Sequence, residues 1–332
     1  MKRLLSISLR LVISAALLWL LFQEHDLIAE IAPRLGAMLA NWPWAAAGIA
    51  CAFASLFLTA VRWHILLRGL APALPLGAVL RAEIVGAFFN ISSIGVMGGD
   101  AYKIMSLSRR LPGRTMPVGM SLLLDHLTGL LSVAVLFLLC VLAIHERWYA
   151  LGGNTRVLIA GYTMYVGGAA AGILMGWILM KPAVLSWGRR TFPRVFGRPL
   201  FAGVFTRLER AHGVFMQLRG RVLPATLVGI VMHVLFFMSF YCGLRAVGGM
   251  AGVLDVFTAM PVVDAAASLP VSVSGLGVRE HTFEALLAGL ASVPETVGVS
   301  ASLAGWLLNL FWGLVGGLLF LQSRHRTDEV AS

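Results

Sequence analysis

The chain has 332 residues, of which 59% are hydrophobic and only 12% charged, and its mean hydropathy is +0.86. Soluble domains carry about a quarter of charged residues, so this composition excludes an ordinary soluble protein. The net charge of +11 would suit nucleic acid, but the basic residues cluster in the segments between apolar spans and form no compact basic domain. We therefore expect no nucleic-acid binding.

Six apolar segments are long enough to cross a bilayer core of about 30 Å as α-helices. A transmembrane β-barrel would instead show alternating segments of roughly ten residues. The sequence therefore predicts an all-α polytopic membrane protein, with a single transmembrane domain over 1–322 and a short tail over 323–332. The predicted spans, in chain order, are 4–22, 43–66, 118–144, 156–180, 223–245 and 298–322.

The distribution of basic residues predicts the orientation of these spans. The first span begins with Lys2 and Arg3 like a signal peptide, but its apolar run is long and no small-x-small cleavage site follows, so we expect an uncleaved helix. The positive-inside rule then puts the N-terminus, the arginine-rich loop 181–222 and the tail in the cytoplasm. The expected location is the cytoplasmic (inner) membrane of a bacterium, with both termini cytoplasmic.

Two regions fit none of the six spans. Residues 69–117 begin and end on the predicted cytoplasmic side, and residues 247–293 begin and end on the outer side, yet both contain long apolar stretches. Each is predicted to be a broken hairpin that enters the membrane and leaves by the same face. Irregular backbone at that depth is tolerated only inside protein or along a wet cavity.

The turns of the two predicted hairpins resemble each other. NISSIGVMGGD, over 90–100, is followed 180 residues later by VSVSGLGVRE, over 271–280, so that Gly95 aligns with Gly275 and Asp100 with Glu280. Inverted repeats with glycine-interrupted segments commonly mark a transporter's binding site near the midplane. Two unrelated amphipathic surface loops are the alternative.

These turns are predicted to bind a lipid headgroup. Glycine lets backbone N–H groups approach a ligand, and helix N-termini favour phosphate, which suits an anionic headgroup with a cationic or hydroxylated appendage. Local pairing of each acid with its basic neighbour is equally compatible with the pattern. The predicted substrate-binding residues are Asn90, Ser92, Gly95, Gly98, Gly99, Asp100, Lys103, Ser272, Ser274, Gly275, Gly277, Arg279 and Glu280.

Ionisable groups within spans are further candidates, because burying one at a helix centre costs at least about 2.5 kcal/mol. Asp125, Asp264 and Glu284 are the candidates for ion or proton coupling. The alternatives are a salt bridge to a hairpin for Asp125, a structural pair for Asp264 and exposure to external water for Glu284. His126 is adjacent to Asp125 but projects elsewhere, which favours hydrogen-bonded packing.

Other polar residues are interpreted as structural. Arg62 with Trp63 indicates an anchor at the membrane interface. Glu83 is expected near the cytoplasmic surface. Asn90 and Asn309 favour hydrogen bonds between neighbouring helices.

Three segments carry a family resemblance: FFN…G…GGDAYK from 88 to 103, LPVSVSGLGVRE from 269 to 280, and RWHILL from 62 to 67. Together they resemble the transmembrane region of lysylphosphatidylglycerol synthases and a flippase-like family of stand-alone membrane proteins. In the bifunctional relatives this region moves aminoacylated phosphatidylglycerol between leaflets, and a soluble domain makes the lipid. The resemblance implies a lipid flippase or scramblase-like transporter. Only SRHRTDEVAS follows the last span, so we expect no aminoacylation.

Two alternatives remain open. The chain can be an accessory scaffold for a glycolipid, cardiolipin or hopanoid synthesis enzyme that docks on the loop 181–222. It can also be a membrane enzyme, in which Asp100, Asp125 and His126 activate a lipid hydroxyl. No catalytic, metal or cofactor motif accompanies them. We therefore expect a non-enzymatic protein without cofactor or metal, whose partners are membrane lipids, chiefly anionic phospholipid.

Overall fold

The computed structural model describes residues 27–92, 96–146, 151–179, 181–191, 210, 212–268 and 275–331. Every regular element in this part of the chain is a helix, which confirms the all-α fold class. A 3₁₀ turn, Arg219–Arg221, precedes the eighth α-helix. The α-helices are α1 Leu27–Ala40, α2 Trp42–Leu67, α3 Leu76–Ser92, α4 Val96–Arg110, α5 Thr115–Ala143, α6 Gly153–Leu179, α7 Pro182–Thr191, α8 Val222–Ala246, α9 Val253–Ser268, α10 Val278–Ala291 and α11 Glu295–Ala331.

Four described helical stretches are long and apolar enough to cross a membrane. They contain the predicted second, third, fifth and sixth spans almost residue for residue. They are Trp42–Leu67, Thr115–Ala143, His212–Ala246 and Glu295–Gln322. The predicted span 156–180 falls on α6, a helix of 27 residues, and the predicted span 4–22 lies outside the described residues. The total of six spans therefore stays a prediction.

α2 and α8 form an antiparallel pair at the centre of the bundle. At one end Arg221 donates a hydrogen bond to the carbonyl of Ile65 (3.2 Å), and at the other Asn41 donates to the carbonyl of Ala246 (3.0 Å). Gly48 lets the helices approach closely, since a Cβ there would lie 3.1 Å from the Cβ of Cys242. We call the two ends of this pair the Leu67 end and the Ala246 end.

The first predicted hairpin is a pair of packed helices, α3 and α4, rooted at the Leu67 end. In the chain, α3 follows α2 and α4 precedes α5. The Arg114 guanidinium donates to the carbonyl of Leu70, so the loop between α4 and α5 is bonded to the loop between α2 and α3. Positions on either side of 93–95 meet across the pair: the Gly99 N–H donates to Asn90 Oδ1 at 3.0 Å. The chain therefore enters and leaves this hairpin at the same end of the bundle.

The second predicted hairpin consists of α9 and α10, which lie between α8 and α11 in the chain. It connects to the bundle at the opposite end, the Ala246 end. Gly275 and Gly277 have φ of 75° and 84°, values that L side chains rarely adopt. A Cβ at Gly275 would also lie 2.7 Å from the Cβ of Ala267 on α9. Both glycines are thus required where the chain turns into α10.

α11 packs against both hairpins. In its N-terminal half Ser302 lies beside Glu280 of α10, and in its C-terminal half Gly313 faces Ile91 of α3. Ser302 and Gly313 are eleven residues apart, or about 16 Å along a helix. The tips of the two hairpins therefore approach each other along one helix from opposite ends.

The predicted basic loop 181–222 is described only in part. α7 exposes Trp187 and Arg190, which is typical of a helix that lies in a membrane interface. Residues 192–209 and 211 lie outside the described residues.

Candidate functional site

Six ionisable side chains lie together where the first hairpin meets α2 and α5. Such groups are expensive in an apolar bundle and are kept where they pair or line a pathway. The members are Arg62 of α2, Glu83 of α3, Asp100 and Lys103 of α4, and Asp125 and His126 of α5. We call this set the charged cluster.

Arg62 and Asp125 form a two-pronged ion pair inside the bundle. Nε and Nη2 of the arginine donate to the two carboxylate oxygens, each at 2.8 Å, and both side chains are buried. Gly129 makes room for the guanidinium, since a Cβ there would lie 2.6 Å from its Nη1. The planar fork of arginine matches a carboxylate in a way that lysine cannot. This pair fixes α2 to α5.

Glu83 and Lys103 pair across the two helices of the first hairpin. Nζ lies 2.7 Å from Oε2, and the two side chains are only 2% and 8% exposed. Gly86 leaves space for the lysine stem, because a Cβ there would lie 2.8 Å from Lys103 Cε. The pair joins the hairpin legs below the turn.

Asp100 and His126 form the exposed edge of the charged cluster. His126 Nε2 lies 2.8 Å from Asp100 Oδ2, and Lys103 Nζ lies 3.8 Å from the other carboxylate oxygen. The Asp100 and His126 side chains are 22% and 42% exposed. We call these two residues the polar notch.

The polar notch opens beside an apolar surface. Leu123 and Leu131, on the same helix as His126, are 51% and 47% exposed. Outward leucines of this kind are expected where a helix faces lipid. The arrangement places hydrogen-bonding groups next to a surface suited to hydrocarbon chains.

The rest of the first predicted motif holds the hairpin together. Asn90 Oδ1 accepts from the Gly99 N–H, and a Cβ at Gly99 would lie 2.5 Å from the carbonyl oxygen of Gly86. Asn90 therefore makes the predicted bond between helices. Gly98 is half-buried, whereas Gly95 and the side chain of Ser92 lie outside the described residues.

In the second motif Glu280 caps its own helix. The carboxylate is fully buried, Oε2 accepts from the Gly277 N–H at 2.6 Å, and Ser302 Oγ donates to Oε1 at 3.4 Å. Such a bond satisfies an otherwise unpaired N–H at a helix start. Ser272 and Ser274 lie outside the described residues.

The three predicted coupling candidates lie in three different places. Asp125 is in the charged cluster, but its salt bridge goes to α2 and not to a hairpin. The charge of Asp264 on α9 interacts with that of Arg279 on α10. Glu284 is half-buried, with His281 Nδ1 3.8 Å from its carboxylate.

One structural interpretation is wrong. Arg62 and Trp63 are buried, and the Trp63 indole N–H donates to Ser121 Oγ at 3.1 Å, so they anchor α2 to α5 and not to a membrane interface. Glu83 is buried in the hairpin, and its position near the cytoplasmic surface of the membrane stays a prediction. The sequence signal for this ion pair was the opposite charge of Glu83 and Lys103, which lie at similar distances from the turn between α3 and α4. Asn309 does bond a neighbouring helix, at 2.9 Å.

Within the described residues, no group of three or more His, Cys, Asp or Glu side chains is arranged to hold a metal ion. A cavity of about 550 Å³ lies at the foot of the first hairpin, between the loops that tie its legs to α2 and α5. Arg110 and Arg114 are the charged residues that line it.

The comparisons with known proteins cover most of the chain. The model of the family described as "Lysylphosphatidylglycerol synthase TM region" matches residues 7–317. The UPF0104 membrane protein PH1989 of Pyrococcus horikoshii is 24% identical over 294 residues, which cover 81% of this chain and 84% of that protein. No solved structure matches the chain. The chain is an integral membrane protein that belongs to the lysylphosphatidylglycerol synthase transmembrane-region family.

Proposed function

We propose that this protein moves a phospholipid or another amphipathic lipid between the two leaflets of its membrane, as a flippase or scramblase. Family membership supports a role connected with membrane lipid. The proposal assigns no covalent chemistry and no cofactor to the chain.

The observation that carries the proposal is the polar notch beside Leu123 and Leu131. A lipid that changes leaflet must take its headgroup through hydrocarbon, where an unpaired polar group costs several kcal/mol. Asp100 and His126 offer hydrogen-bond partners on the lateral surface, so the headgroup can pass along the protein. The acyl chains can stay in the surrounding lipid beside the exposed leucines.

The chemistry of the notch favours a headgroup that carries both a phosphate and a donor group. The Asp100 carboxylate accepts hydrogen bonds from an ammonium or hydroxyl group. His126, when protonated, and Lys103 behind it attract phosphate. Zwitterionic and hydroxylated phospholipids have both parts.

The paired hairpins support the same function. α3 and α9 have 17 and 16 residues, or about 25 Å as helices, which is short of a bilayer core of about 30 Å. We propose that the hairpins enter the membrane from opposite faces and that the headgroup crosses where their tips approach along α11.

Arginines at the Leu67 end of the bundle favour a cytoplasmic position for that end. They are Arg68, Arg109, Arg110, Arg114 and Arg219.

The test is lipid movement in proteoliposomes. Acyl-labelled fluorescent phosphatidylethanolamine, phosphatidylglycerol and phosphatidylcholine are each reconstituted with the purified protein, and label in the outer leaflet is bleached with dithionite. We expect at least one lipid to lose fluorescence beyond the outer-leaflet half faster than in protein-free vesicles. Asp100→Asn should slow this phase, whereas Glu146→Gln, which changes an exposed carboxylate on the α5–α6 connection, should not.

The proposal is wrong if every lipid class behaves as in protein-free vesicles. It is also wrong if Asp100→Asn and Glu146→Gln give equal rates, because the movement would then not depend on the notch.

A further inference from the structure

The ion pairs of the first hairpin form a chain that runs from the surface into the protein. His126 contacts Asp100 at 2.8 Å, Asp100 lies 3.8 Å from Lys103, and Lys103 contacts Glu83 at 2.7 Å. Exposure falls along it, from 42% at His126 through 22% and 8% to 2% at Glu83. His126 is therefore the most exposed member of the chain, and Glu83 is the most buried.

The charges in the charged cluster do not balance when His126 is neutral. Arg62 and Lys103 contribute two positive charges, and Glu83, Asp100 and Asp125 contribute three negative charges. An unpaired charge in a bundle of low dielectric constant is costly, and one added positive charge removes it. Histidine is the side chain whose ordinary titration range covers physiological pH, so a proton can supply that charge.

We propose that the polar notch is a proton-binding site and that the bound proton holds the tip half of α4 against α5. The effect of this proton on lipid movement rests on the function proposed above, whereas the movement of the hairpin does not.

The chemistry is one proton transfer from the aqueous phase. Nε2 of His126 faces Asp100, so the added proton bonds to Nδ1, and no other bond forms or breaks. The neutral ring becomes an imidazolium, and its hydrogen bond to the Asp100 carboxylate gains the attraction between two opposite full charges. Loss of the proton restores the excess negative charge and weakens the contact.

The contacts between α4 and α5 differ in kind along the hairpin. Toward the foot, Leu107 of α4 packs in one apolar core with Val118 and Leu122 of α5. Nearer the tip, α4 and α5 are joined among the described residues by the polar notch, in which Asp100 contacts His126. A change of charge at the notch therefore acts on the tip half of α4, while the apolar contacts keep the foot in place.

Other charged or titratable groups lie on the described helices of the same bundle. Arg62 of α2 and Asp125 of α5 bind each other, and Glu83 of α3 binds Lys103. On α8, His233 Nδ1 contacts the carbonyl of Gly229 at 2.8 Å, and on α9, Asp264 interacts with Arg279 of α10. The described basic residue on α6 is Arg156, in that helix's first turn. The proposed pH response is thus assigned to His126.

The experiment measures the hairpin position directly. Spin labels are placed at Ala101 of α4 and Leu123 of α5, both exposed, in full-length protein whose three native cysteines are replaced by alanine. Pulsed electron resonance in phospholipid nanodiscs gives the distance between the labels at pH 5.5 and pH 8.5. We expect one short distance at pH 5.5 and an added or longer distance at pH 8.5.

Variants assign the response to the notch. His126→Gln and Asp100→Asn should each abolish the pH dependence, while His145→Gln, an exposed histidine at the far end of α5, should keep it. Equal distances at both pH values in the parent protein overturn the proposal, and so does an unchanged pH response in His126→Gln. If the protein moves no lipid but still shows the pH-dependent distance, the proton-binding proposal is supported and only the proposed lipid transport is contradicted.

Discussion

Glu83 and Lys103 face each other at 2.7 Å across the two helices of the first hairpin, and both are almost completely buried. An ion pair in this position does more than add attraction. It ensures that α3 and α4 cannot slide or separate without leaving a charge in an apolar interior, which is far more costly than the pair itself. The hairpin is therefore expected to behave as one unit.

Replacing Glu83 with glutamine should destabilise the protein by about 3–5 kcal/mol, because Lys103 then stays buried without its carboxylate. The measurement is thermal unfolding in detergent. The double variant Glu83→Gln/Lys103→Met should recover much of the loss, since no buried charge is left unpaired. Equal unfolding temperatures for the parent and the single variant would show that the pair does not hold the hairpin.

Asp125→Asn distinguishes a structural from a coupling role for this residue. Since Asp125 accepts both donors of Arg62, the variant should lose about 3–5 kcal/mol of stability, measured as above. The protein that remains folded should move lipid at the parent rate. A folded variant that no longer moves lipid would instead make Asp125 part of the transport pathway.

Glu280 is expected to tolerate glutamine better than alanine. Glutamine retains an oxygen that can accept from the Gly277 N–H, whereas alanine leaves this N–H unpaired at a loss of about 1–3 kcal/mol. The unfolding temperatures of Glu280→Gln and Glu280→Ala are compared. If both variants are as stable as the parent protein but move no lipid, the carboxylate serves a ligand and not the cap.

Gly316→Ala should displace the first hairpin from α11. A Cβ there would lie 2.8 Å from the carbonyl carbon of Ile84 and 3.2 Å from Val85 Cα, which are backbone atoms that cannot turn aside. We expect a loss of about 1–3 kcal/mol, typical of overpacking. Gly36→Ala is the matched control, because nothing lies within 4 Å of a Cβ at that position. Equal stability of the two variants would contradict this packing.

Hydropathy and charge were sufficient to predict the four long apolar helices that the structure describes. An apolar run of about twenty residues has few alternatives in a membrane, because backbone groups must pair within the segment. For the same reason α2 and α5 coincide closely with the spans predicted for them. The glycines of the second turn were also recognisable, and Gly275 and Gly277 have the backbone angles that require glycine.

The sequence by itself thus determined the class of protein and its long apolar helices, since both depend on neighbouring residues. Only the tertiary structure decided which charges meet. Arg62 and Asp125, like Glu83 and Lys103, are far apart in the chain, and nothing local reveals a partner on another helix. Their pairing follows from helix packing, which brings isolated charges together because an unpaired charge inside the bundle is too costly to keep.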